Sequence, residues 1–173
     1  DHIQGLPLFR PAMCSQCQLH VFGPQPIDGL NLEKTLQRIM RPPLSPISQL
    51  DILSQRSYTH IAHGARILLT DPTQTPIHIE ANDVRKNVPE HSVIIDTHHS
   101  YAHPQQGVLV YRVAYHGHSF VFATDIEGYI NQDQRLIEFA QEADLLIHDA
   151  EYDEHEYADG PTIKQGWGHS TWR

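Results

Sequence analysis

The chain has 173 residues, with 21 acidic and 12 basic side chains for a formal net charge of −9, and 39% of it is hydrophobic. That length suits one domain able to bury a real core, and no apolar run approaches the roughly 20 residues that cross a bilayer. The acidity weighs against broad capture of nucleic-acid backbone, which depends on Lys and Arg neutralising phosphates. Two cysteines cannot build a disulfide framework, whereas fourteen histidines raise the prospect of a metal site, imidazole being a common metal ligand and acid–base group.

In chain order, "IQGLPLF" after Asp1 reads as a short helix or turn interrupted by Pro7. "QLHVFGP" reads as a strand closed by Gly23-Pro24. "NLEKTLQRIMRPP" places Leu32, Leu36, Ile39 and Met40 on one helical face, with Asn31 as cap and Pro42-Pro43 as stop. From Ser57 the texture becomes β: "SYTHIA", "ARILLT", "PIHIEA" and "SVIIDTHH" are short runs separated by turn formers. "GVLVYRVAY", "HG" and "HSFVFATD" form the clearest hairpin, Gly117 giving the turn its freedom. "NQDQRLIEFAQEA" is a helix with Asn131 or Asp133 as cap, and the nearly all-apolar "DLLIHDA" reads as a strand covered on both faces. A last helix is expected to start at Ser170. No repeat or linker divides the chain, so residues 1–173 are expected to form a single domain of mixed α/β (α+β) character, sheets packed together with helices outside.

Three positions share one geometry in this reading. Asp125 follows the strand "FVFATD", Asp149 follows "LLIH", and His103 lies in the loop "SYAHPQQG" between two strands. Carboxylates and imidazoles at strand ends can converge on one rim, and that donor mixture suits zinc, manganese or iron. An Asp after a strand is also an ordinary turn residue. "CSQCQLH" offers Cys14, Cys17 and His20 but no second pair for a structural zinc, so two incidental thiols is the preferred reading. His98-His99 and His116 to His118 could bind metal adventitiously, the latter at a hairpin tip far from this rim, and His148 reads as a packing or surface residue.

These segments together resemble the metallo-β-lactamase-fold hydrolases. "DHIQGLPLF" resembles the end of the H-x-H-x-D-H motif, "HPQQGVLVYRV" the next histidine-bearing segment, and "FVFATD" the segment that supplies a bridging aspartate. "ADLLIHDAEY" and "GWGHSTW" resemble paired motifs of the branch that holds phosphodiesterases and the tRNA 3′-end-processing nucleases. The resemblance implies a four-layer αββα sandwich, incomplete at both ends of this chain, with two divalent metal ions, zinc foremost and manganese or iron as alternatives. It assigns Asp1, His2, His103 and Asp125 to the metals, and Asp1, Asp149 and His169 to catalysis. Asp1 would orient the nucleophilic hydroxide, and an Asp149–His169 pair would protonate the leaving oxygen.

The function expected on that basis is hydrolysis of a phosphodiester, a cyclic nucleotide or similar small molecule. Alternatives are tRNA 3′-end processing, thioester or lactone hydrolysis, and a non-catalytic binding module with the same fold. The expected partner is a small phosphodiester or ester in a cytoplasmic protein, with no membrane, nucleic acid disfavoured, and a homodimer left open. Because the resemblance starts inside one motif, the 173-residue segment alone is expected to be inactive and to bind metal weakly. Each site residue also has a plain structural reading: Asp1 as a helix cap, His103 as loop surface, and His169-Ser170 as a helix start.

Overall fold

β-Branched and aromatic residues favour extended backbone, and the runs of them that follow residue 61 pair into one sheet. The computed structural model describes residues 2–26, 29–83, 88–104, 106–128 and 132–172. It divides into two compact units, Asp1–Ile61 and Ala62–Arg173. The architecture is mixed α+β, dominated by a six-stranded sheet with few helices.

In the first unit, strand β1 (Gln18–Gly23) pairs in parallel with β2 (Gln55–His60), with Val21 opposite Tyr58. Helix α1 (Leu32–Ile39) lies between them in sequence. The Asn31 side chain caps it by accepting from the Lys34 amide at 2.8 Å. Ala12, Met40 and Ile52 form a small buried core to which Leu6, Met13, Leu19, Ile39 and Ile47 add.

The second unit carries β3 (Arg66–Leu69), β4 (Ile77–Ile79), β5 (Val93–Ser100), β6 (Val108–Tyr115), β7 (His118–Ala123) and β8 (Leu145–His148). Their order across the sheet is β4-β3-β5-β6-β7-β8. All neighbours are antiparallel except β7 and β8, which run in parallel. The β6–β7 hairpin turns at His116 (φ 49°) and Gly117 (φ 80°), the double positive φ that matches the strand twist. Helix α2 (Gln134–Ala140) makes the crossover from β7 to β8, and Asp133 caps it by accepting from the Leu136 amide. Asn131, the other expected cap, lies outside the described residues.

One face of this sheet is sealed by α2. Leu136 joins Ala102, Val110, Val121, Ala123 and Ile126 in the core, with Phe139, Ala140 and Ala143 packed against it. Arg112 reaches from β6 to the end of α2 and donates to the carbonyls of Phe139 (3.1 Å) and Gln141 (2.8 Å), which satisfies groups the helix terminus leaves open.

Two expectations are corrected here. Strand β8 is not covered on both faces: Leu145, Leu146 and Ile147 are 55%, 47% and 38% exposed. It is the edge strand, paired only to β7 among the described residues. Nor does a helix begin at Ser170. The Tyr152 amide donates to the Ser170 carbonyl and the Trp172 amide to the Tyr152 carbonyl, so a parallel bridge between Tyr152 and Thr171 takes the backbone groups that a first helical turn needs. No helix among the described residues is long and apolar enough to cross a membrane.

Strand direction decides what meets at the rim. β5 is antiparallel to β6 and β6 to β7, while β8 follows β7. The C-terminal ends of β5, β7 and β8 therefore lie at the same edge, and the residues just beyond them emerge together.

Candidate functional site

His103 follows β5 in the loop that leads to β6. That loop is held close to its strand: His99 Nε2 donates to the Gln106 carbonyl at 2.7 Å. Gly107 has φ +73°, and a Cβ there would sit 2.2 Å from the Ser100 carbonyl oxygen, so no side chain fits. Asp125 stands two residues past β7 with φ 57°, a left-handed conformation that Asp tolerates better than most residues. Asp149 directly follows β8, and its amide donates to the Ala123 carbonyl, which continues the β7–β8 ladder into the site.

Asp149 is 8% exposed, and donors surround its carboxylate. The Ile126 amide (3.2 Å) and His169 Nδ1 (2.7 Å) meet Oδ2, while the amides of Glu151 and Ser170, both at 3.1 Å, meet Oδ1. Burial alone would raise this carboxyl, but the His169 bond and the amides outweigh it, and the group is held below the usual carboxylate range. Ser170 closes the arrangement by donating its hydroxyl to the Ile126 carbonyl at 2.5 Å.

His169 also lies 3.1 Å from Glu151 through Nδ1. Burial would lower its pKa, yet the bond and charge of Asp149, with Glu151 and Asp125 behind it, raise it above the ordinary histidine value. With Nδ1 engaged by carboxylate, Nε2 is the nitrogen left for an ion or a reacting group.

The structure brings His103, Asp125 and His169 together: one ligand atom from each lies within 4.8 Å of the other two, all three residues being half-buried. Bonds of about 2.0–2.2 Å to one ion place two ligand atoms roughly 3.4 Å apart in tetrahedral geometry. Closing the set therefore takes side-chain movement on the order of an ångström. Two imidazoles and a carboxylate are a donor set that fits a zinc-like divalent ion. Asp1 and the side chain of His2, the other expected ligands, lie outside the described residues.

Sequence reasoning passed over Glu127. Its carboxylate accepts from the Tyr157 hydroxyl (2.5 Å), the Gly166 amide (2.7 Å) and the Gly168 amide (2.9 Å). Burial pulls its pKa up, but these donors prevail and it is held low, while burial and the same carboxylate push the Tyr157 hydroxyl up to about 12. The only signal was a second carboxylate two residues after Asp125. Beside His103 and Glu127 opens a cavity of about 600 Å³, lined also by Tyr101, Tyr157, Gln165 and Gly166.

The remaining histidine clusters stay apart from this group. His98 is buried on β5 against Phe139 and His63. His116 stacks on His91 at the hairpin turn, and His118 meets Asp144. His148 turns its Nδ1 to the Asp149 carbonyl. Cys14 and Cys17 are free thiols in the first unit. Tyr152 is buried and edges onto the His169 ring. Comparison with protein-family models gives no match for this chain, and comparison with curated proteins gives none.

Proposed function

We propose that the chain belongs to a metal-dependent hydrolase of the metallo-β-lactamase kind, acting on a small phosphodiester. The observation that carries the reading is the convergence of His103, Asp125 and His169, each from a different loop, with Asp149 seated behind His169. The β-rich order and the half-exposed face bearing Phe120 and Phe122 are compatible with an αββα sandwich, in which a second sheet covers that face.

In this reading His103 and Asp125 hold a divalent ion. Such an ion supplies an activated water and positive charge for the phosphoryl oxygens. A phosphodiester also needs its leaving alkoxide protonated, and His169 is built for that task. Asp149 fixes its tautomer so that Nε2 carries a proton toward the site, and stabilises the imidazolium before the proton is given up. A leaving group bound beside His103 has the neighbouring cavity to occupy.

The test uses the full-length protein. Asp125→Ala should abolish hydrolysis of a chromogenic phosphodiester and lower the metal content found by elemental analysis. Wild-type turnover in that variant would end the assignment. A second reading, in which His169 is itself a metal ligand, is favoured by the mutual reach of the three ligand atoms. His169→Ala separates the two: the acid role predicts full metal and lost turnover, the ligand role predicts lost metal.

A further inference from the structure

We propose that Glu127 is a positioning residue of this site: by holding the backbone of the 166–168 segment it sets the spacing of His103 and His169 and thereby the capacity to hold an ion. This role rests on the second reading above, in which His169 joins His103 and Asp125 in holding the ion. Glu127 stands two residues from Asp125 yet serves a different purpose, because three donors already occupy its two oxygens. A carboxylate so engaged is unsuited to direct ligation and well suited to bracing a loop.

The mechanical path is short. Oε2 takes the Gly168 amide, and Gly168 packs against His103: a Cβ there would lie 2.6 Å from His103 Cδ2 and 2.4 Å from Pro104 Cδ. The next residue is His169, whose ring stands at 88° to that of His103 with centroids 5.8 Å apart. Gly166 and Gly168 have φ of +84° and +91°, so the segment adopts a shape that only glycine takes without strain. Oε1 holds its near end at Gly166 and, through the Tyr157 hydroxyl, ties it to the short helix α3 (Glu154–Ala158). The Asp149–His169 bond orients one ring; Glu127 fixes how closely the backbone behind that ring approaches the other.

The experiment measures ion affinity and loop order rather than turnover. Full-length wild type, Glu127→Gln, Glu127→Ala and Tyr157→Phe are titrated with cobalt(II) against a chelator, and the absorption of the bound cobalt is recorded. Amide hydrogen exchange at Gly166 and Gly168 is followed in parallel. Loss of a residue that orients metal ligands typically weakens binding about 10–100-fold. Glu127→Ala should fall in that range with a changed cobalt spectrum and faster exchange at both glycines. Glu127→Gln, which keeps one acceptor oxygen, and Tyr157→Phe, which spares both amide bonds, should lose less and still fold if the alanine variant does not. Wild-type affinity and spectrum in Glu127→Ala or Glu127→Gln, with exchange accelerated, would overturn the role and leave Glu127 a scaffold residue only. If the wild type itself binds no cobalt, the ion-site reading falls, and the positioning role falls with it while the exchange data still report the brace.

Discussion

Replacing Asp149 with alanine tests whether this buried carboxylate is a structural anchor as well as the partner of His169. The substitution removes the acceptor for four donors: His169 Nδ1 and the amides of Ile126, Glu151 and Ser170. The Ile126 and Ser170 donors are buried, and the Glu151 amide is partly so. A buried donor left without a partner costs about 1–3 kcal/mol, so two in full and a discounted third give about 3–5 kcal/mol. Against a typical domain stability of about 5–15 kcal/mol, that is about a fifth of the total or more. With a urea m-value of about 1–2 kcal/mol/M, the unfolding midpoint should drop by roughly 1.5–5 M. His169→Ala is the control, since it removes one donor to the carboxylate and leaves three amide bonds intact, costing about 2 kcal/mol. Urea unfolding followed by circular dichroism reads both. A loss under about 1 kcal/mol in Asp149→Ala, or one no larger than in His169→Ala, would refute the anchoring argument. The sign with pH is set as well. The folded carboxyl titrates below its ordinary value, so its contribution is whole above about pH 3.9 and disappears as pH falls through the folded value.

Other consequences are open to direct measurement. Burial, then the nearby charge of His63, depress His98, with His99 and Arg135 acting the same way and Asp133 opposing; its neutral form is favoured on folding, so stability should be full above about pH 6.5 and decline as pH falls through the lower folded value. His98→Phe, able to stack on Phe139, should flatten that part of the urea-midpoint profile between about pH 7.5 and about pH 5; an unchanged slope would contradict it. Gly168→Ala combines positive φ with a Cβ 2.4 Å from Pro104 Cδ, and should cost about 2–4 kcal/mol from overpacking and backbone strain, checked by thermal unfolding. In the first unit, Asn31→Ala removes the cap bond to Lys34 and should cost about 1 kcal/mol, read as a small loss of helical signal and a lower midpoint.

How much of this was legible depends on the range of the interaction. Local rules recovered the elements whose signals lie in neighbouring residues: the Asn31 cap, the His116-Gly117 turn and the Asp133 cap are where their spacing puts them. The apolar run "LLIH" misled because composition reports that a strand is hydrophobic, whereas position at a sheet edge decides whether it is covered. Ser170 misled in a similar way. A Ser before a chain turn reads as a helix cap, but its amide, hydroxyl and carbonyl are committed to Asp149, Ile126 and Tyr152, partners 18 to 44 residues away that no local pattern reveals. Glu127 was invisible for the same reason, since its three donors come from residues 157 to 168.

The candidate site itself follows from strand parity more than from any single motif. Each reversal of the antiparallel run moves the next loop to the opposite rim, so residues after β5 and β7 share an edge and those after β6 do not. That parity places His103 and Asp125 together and sends His116 and His118 to the far edge, although "HGH" has the more metal-like spacing. The parallel return of β8 through α2 then adds Asp149 at the near edge, and its carboxylate draws His169 in from the end of a loop with no strand of its own. A histidine-rich sequence offers many pairs that could hold an ion. Topology selects among them, because only side chains delivered to one edge can share a partner without the sheet giving up its ladder.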